Sequence, residues 1–157
     1  MASDPYADAL QLVLGTHDHD VRERLALLDE VARAQGDRDV IIEVFVDDDA
    51  EGPFDVWARL DGLNAFELEP LLGDRRHLFG VAWTEDGWEP PVPGSPRGWS
   101  RDQLQEAVID TVAHWLSDLL PADRAGVDWT VESPDGSSDP RPLPVPDSPG
   151  KAEASAR

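Results

Sequence analysis

Val40-Ile41-Ile42-Glu43-Val44-Phe45-Val46, the turn Asp47-Asp48-Asp49-Ala50-Glu51-Gly52-Pro53, and Phe54-Asp55-Val56-Trp57-Ala58-Arg59-Leu60 together decide the fold. Both outer runs repeat with a period of two. Val40, Ile42, Val44 and Val46 share one face of the first, with Glu43 and Asp47 on the other. In the second, Phe54, Val56, Ala58 and Leu60 alternate with Asp55, Trp57, Arg59 and Asp61. Successive side chains of a strand point to opposite sides, so each run is a strand with one buried face. The intervening turn pairs them as a hairpin.

Upstream the period lengthens to that of a helix. Asp4 as N-cap with Pro5 in the first helical position opens a short helix through Tyr6, Leu10 and Val13 that stops at Gly15. Asp20 and Glu23 form a capping-box pair for a second helix, whose Val21, Leu25, Leu28 and Ala32 keep helical spacing up to Gly36. Downstream, residues 63–73 fit a short strand and a loose helical turn equally well, with Pro70 interrupting either. His77 to Thr84 reads as one strand, and Asp86-Gly87 between Trp83 and Trp88 as a hairpin turn.

Four prolines between Glu89 and Gly98 mark a loop. The strongest helix follows. Ser100 and Gln103 form a capping box, and Leu104, Ala107, Val108, Thr111, Val112, Trp115, Leu116 and Leu119 make one apolar stripe, which must lie on the sheet. His114 falls at its edge, a packing position. Val127, Trp129 and Val131 give a last strand, and the six prolines of residues 133–157 indicate a tail unable to bury enough surface to order itself. The expectation is therefore an α+β chain. It has two N-terminal helices, an antiparallel or mixed sheet of about five strands and one long amphipathic helix on the sheet. A single globular domain spans residues 1–132, and a disordered Pro-rich tail spans 133–157.

Charge narrows the function more than any motif does. The chain has 33 acidic and 13 basic side chains, a net charge of −20. Nucleic-acid affinity rests on Lys and Arg displacing counterions, so no nucleic-acid partner is expected. There is no cysteine, which removes disulfides, thiolate nucleophiles and zinc-thiolate clusters. The start lacks the pattern of a signal peptide and no run of about 18 apolar residues occurs, so no membrane partner and a cytoplasmic location are expected. Twenty-two of the acids are Asp and Lys151 is the only lysine, a pattern that solubility, genome bias and salt adaptation all produce. Steering toward a basic partner competes with those readings.

Two clusters could carry chemistry. Asp47-x-Asp49-x-Glu51-Gly52 resembles the first half of an EF-hand calcium loop, but Ala58 stands where the closing Glu belongs and strands flank it, so an EF-hand is excluded. A simpler divalent-cation site from Asp47, Asp49, Glu51 and Asp55 stays open. His17-Asp18-His19-Asp20 resembles the His-Asp doublet of metal-dependent phosphohydrolases, with His17 and His19 as candidate ligands, though it sits at a helix start that needs an N-cap. No nucleophile elbow, P-loop or dinucleotide fingerprint occurs, so no catalytic residue and no cofactor are assigned.

Six tryptophans complete the picture. Trp57 lies on the polar side of its strand, and Trp88 and Trp99 bracket the proline loop. Aromatic rings beside carboxylates suit an Arg-rich protein surface. The leading expectation is a non-enzymatic module that binds a basic protein through Asp47, Asp48, Asp49, Glu51, Asp55, Trp57, Trp88 and Trp99. The alternative is a divalent-cation-binding protein or metal-dependent hydrolase using the Asp47–Asp55 turn or the His17–Asp20 cluster.

Overall fold

The computed structural model describes residues 4–121 and 127–143. Helix α1 spans Pro5–Gly15, and the Asp4 carboxylate accepts the backbone N–H of Tyr6 at 3.0 Å and of Ala7 at 3.4 Å. Its buried side chains are Tyr6, Leu10 and Leu14. Helix α2 spans Asp18–Ala34, with His17 in the cap position and no side-chain cap. The expected Asp20–Glu23 capping box is thus corrected. The link between the helices is only two residues long, which starts α2 before Asp20 and leaves that residue inside the first turn. Val21, Leu25, Leu28 and Ala32 form the buried stripe as expected.

Strands β1 (Val40–Val46) and β2 (Phe54–Leu60) pair antiparallel in full register from Val40↔Leu60 to Val46↔Phe54. Residues 65–71 resolve the ambiguous segment as helix α3 (Ala65–Leu71), because Asn64 and Glu67 close a capping box that outweighs Pro70 near its end. A 3-10 turn leads into β3 (His77–Phe79), which pairs with β2. The single strand expected over residues 77–84 is broken at Gly80. The chain leaves the main sheet there and forms a separate hairpin of β4 (Ala82–Thr84) and β5 (Gly87–Glu89).

Helix α4 (Arg101–Leu119) opens with the Ser100–Gln103 capping box and crosses the sheet. It returns the chain to β6 (Trp129–Glu132), which pairs parallel with β1. A parallel neighbour requires such a crossover, and α4 supplies it. The main sheet has the mixed order β3-β2-β1-β6-β7. Its even-numbered residues on β1 and β2 are buried, and β1 meets α2 and α4, where Leu25, Leu28, Leu104, Val108, Ile109, Val112 and Leu116 are fully buried. Each such side chain removed from water contributes about 1.5–3 kcal/mol. The Trp115 indole N–H donates to Asp18 at 2.7 Å and ties α4 to the start of α2.

Residues 133–143 return along the sheet, and β7 (Arg141–Pro142) pairs antiparallel with β6. Pro140 and Pro142 are compatible with this because an edge strand needs only some of its donors. Buried Gln105 donates to Ser137 at 2.7 Å and to Ser138 at 2.8 Å, and the Leu143 N–H donates to the Trp129 carbonyl at 2.7 Å. The rest of the expected tail, 144–157, lies outside the described residues. Among the described residues no helix is long and apolar enough to cross a membrane.

Candidate functional site

The same period of two that buries one face of the sheet turns the other outward. Ile41, Glu43, Phe45 and Asp47 come from β1 and the residue after it, Asp55, Trp57 and Arg59 from β2, His77 from β3, and Thr130 and Glu132 from β6. These side chains are half-buried, except Phe45, which is 39% exposed near the turn end of the hairpin. The face is therefore a shallow apolar and aromatic surface set among carboxylates.

Trp57 anchors it. Its ring stacks on His77 with centroids 4.3 Å apart and planes 20° apart, and the Arg76 guanidinium lies 5.6 Å over the indole. His77 Nε2 is 3.1 Å from Asp55 Oδ1, and the His77 carbonyl accepts from Arg24. Gly80 is what permits this packing. A Cβ there would stand 2.3 Å from Asp55 Oδ1 and 2.6 Å from the His77 ring, so only glycine lets the chain pass. Beside this group, Arg59 reaches Glu43 at 3.5 Å and Glu132 at 3.9 Å.

The acidic turn continues the face at its edge. The Ala50 N–H donates to the Asp47 carbonyl at 3.0 Å, and Asp49 accepts the Glu51 N–H at 3.2 Å. Gly52 has φ 148°, and a Cβ on it would meet the Pro93 carbonyl at 2.9 Å and the Trp88 ring at 3.1 Å. The turn is thus pinned from below by Trp88 and the proline loop, and the Ser95 N–H donates to the Glu51 carbonyl at 2.9 Å. Asp48, Asp49 and Glu51 stay exposed. Burial first, and then Asp49, Asp55 and Asp48, push the Asp47 carboxyl above the usual Asp range. Ionising it therefore costs more than for an ordinary Asp, and a cation placed beside it would offset part of that cost.

Of the expected partner-binding residues, Asp47, Asp48, Asp49, Glu51, Asp55 and Trp57 gather at this face and its edge. Trp88 supports the turn from inside. Trp99 lies elsewhere, packed on Tyr6 at 5.2 Å between α1 and α4. Glu43, Arg59, Arg76, His77 and Glu132 belong to the face and were absent from the expected set. The alternation of β1 already put Glu43 beside Asp47, whereas His77 arrives only through the β2–β3 pairing.

The candidate metal ligands separate. His17 packs edge-on against Phe79 at 5.2 Å, and Asp18 is taken by Trp115. Among the described residues, the one trio of such side chains with ligand atoms within 4.8 Å of one another is His19, Asp20 and Glu23, all exposed. Arg24 and Arg75 line the depression beside Asp20 and Glu23 and oppose a cation there. The acids Asp47, Asp49, Glu51 and Asp55 do not converge in this way.

The model of DUF6389, a family of unknown function, matches residues 1–147. The chain belongs to that family. The match takes in residues 133–143, which the fold also holds on the sheet. No curated protein and no solved structure matches the chain. The reading of this family member therefore rests on its own geometry.

Proposed function

We propose that this chain is a non-enzymatic binding module whose outward sheet face and acidic turn dock a basic surface of a partner protein. The observation that carries the reading is Trp57, half-buried at the middle of an uncovered sheet face, with Glu43 opposite it, Asp55 two residues before it, Glu132 one strand beyond Glu43 and Asp47 at the turn end. Interfaces concentrate their affinity in such aromatic anchors, with charges around them setting partner choice and encounter rate. The carboxylates of Asp48, Asp49 and Asp55 around Asp47 favour an incoming Arg or Lys. His77 is oriented by Asp55, yet among the described residues its ring makes no hydrogen bond to a side-chain nucleophile, and this argues for binding over catalysis.

The test is capture by the tagged full chain from lysate of its source, at about 50 and about 300 mM salt, against a Trp57→Ala, Asp47→Asn, Asp55→Asn variant. A basic protein retained by the native chain at low salt, and lost both by the variant and at higher salt, is the expected result. Identical captures by both forms would overturn the proposal. Calcium, magnesium or manganese should leave Tm unchanged, because a site that bound one of them would raise it by ligand linkage.

A further inference from the structure

The opposite side of the molecule carries a second concave surface that the sheet face does not explain. Helices α1 and α4 run beside each other, with Tyr6 packed on Trp99 at their N-terminal ends, and a groove of about 560 Å³ lies between them. Its floor is Ala7, Ala107 and Thr111, small enough for another backbone to approach, with Trp99 at one end and His114 at the other. His114, expected as a packing residue, is exposed here.

One wall of the groove is a line of carboxylates. Asp102, Glu106 and Asp110 stand at i, i+4 and i+8 of α4, about 6 Å apart along the helix axis. Asp4 faces them from α1. Like charges at this spacing repel, and the fold already answers part of that repulsion. Arg141 extends from β7 to Asp110 at 2.7 Å and to Glu106, so the wall demonstrably accepts a guanidinium across two of its members. Asp102 has no ionic partner among the described residues.

We propose that this groove docks a basic amphipathic helix of a partner protein, its apolar side on Ala7, Ala107 and Trp99 and its cations along Asp102 and Asp4. A helix is the occupant that fits, because two adjacent helices with small residues between them leave a seat for a third at ordinary packing distance. The wall's regular four-residue spacing matches cations repeated at i and i+4 on such a helix. A second copy of this chain, with its net charge of −20, would bring like charge to the wall. This site is independent of the sheet face, on the other side of the sheet.

The experiment titrates the ¹⁵N-labelled full chain with three probes. These are an amphipathic peptide with Arg at i, i+4 and i+8 and Leu on the adjoining face, a scrambled peptide of equal charge, and spermine. The expected result is saturable binding of the first peptide with shifts at Ala7, Trp99 and Ala107. Asp102→Asn should weaken it about fivefold and Ala107→Gln, which fills the floor, about tenfold or more, while Trp57→Ala leaves it unchanged. Equal affinity for the scrambled peptide would overturn the proposal, since it would reduce the groove to bulk charge. Spermine binding as tightly with the same shifts would overturn it in favour of a small organic cation. Shifts confined to Ile41, Glu43 and Trp57 would also overturn it, by moving the peptide to the sheet face.

Discussion

Asp47 shows in one side chain how the surface trades stability for charge. Its folded-state pKa lies above the ordinary value of 3.8, so folding disfavours its ionised form relative to its protonated one. Stability contributed by that form is present at low pH and falls as pH rises from the ordinary Asp value through the raised one. At neutral pH the ionised group is a net liability, discounted by its exposure to water. Asp47→Asn should therefore raise Tm by about 1–3 °C at pH 7 and leave it unchanged near pH 3, as differential scanning calorimetry would register. Gly80 makes the opposite case. Gly80→Ala places a methyl on Asp55 and His77, and should cost about 1–3 kcal/mol in urea unfolding while releasing the Trp57–His77 stack, visible as a change in the His77 ring resonances. The role of Asp55 on the face was open to the sequence through its alternation with Phe54 and Val56. That of Gly80 was not, because a glycine's constraint comes from a neighbour 25 residues earlier in the chain.

At the scale of elements, the readings that held were those fixed by local chemistry. The β1–β2 hairpin, the Asp4 cap of α1 and the capping box of α4 each follow from a pattern contained within a few residues, and each stands in the structure. The readings that failed depended on distant contacts. The start of α2 is set by the short α1–α2 link and by Trp115 holding Asp18, and the break at Gly80 is set by β2. The order of residues 133–143 is set by Gln105, a buried amide on α4 that satisfies two serine hydroxyls more than thirty residues away. Gln105→Ala should remove both amide hydrogen bonds to residues 137 and 138 together with part of the buried packing, costing about 1–3 kcal/mol. Hydrogen exchange should locate that loss, with faster exchange at residues 137–143 and little change in β1 and β2.

The whole molecule is a single helical side and a single bare side, and composition fixes what each can meet. A sheet covered on one face by α2 and α4 leaves alternate residues of β1 and β2 half-buried on the other, which suits an antiparallel hairpin bordered by polar residues. On the proposed reading, the net charge of −20 steers cationic partners toward both surfaces. That one face of the hairpin carries carboxylates and a tryptophan was legible from charge and alternation. Which residues compose it was not, because the strand order β3-β2-β1-β6-β7 brings His77 and Glu132 to either flank of the hairpin from far along the chain. The central claim is that the bare side is where the partner sits. It is tested most directly by photo-cross-linking, with a benzophenone amino acid replacing Ile41 on the open face and, separately, Glu30 on the exposed side of α2. We predict a salt-sensitive cross-link to a basic protein from position 41 and none from position 30. A cross-link from position 30 alone, or none from position 41 at low salt, would contradict the account.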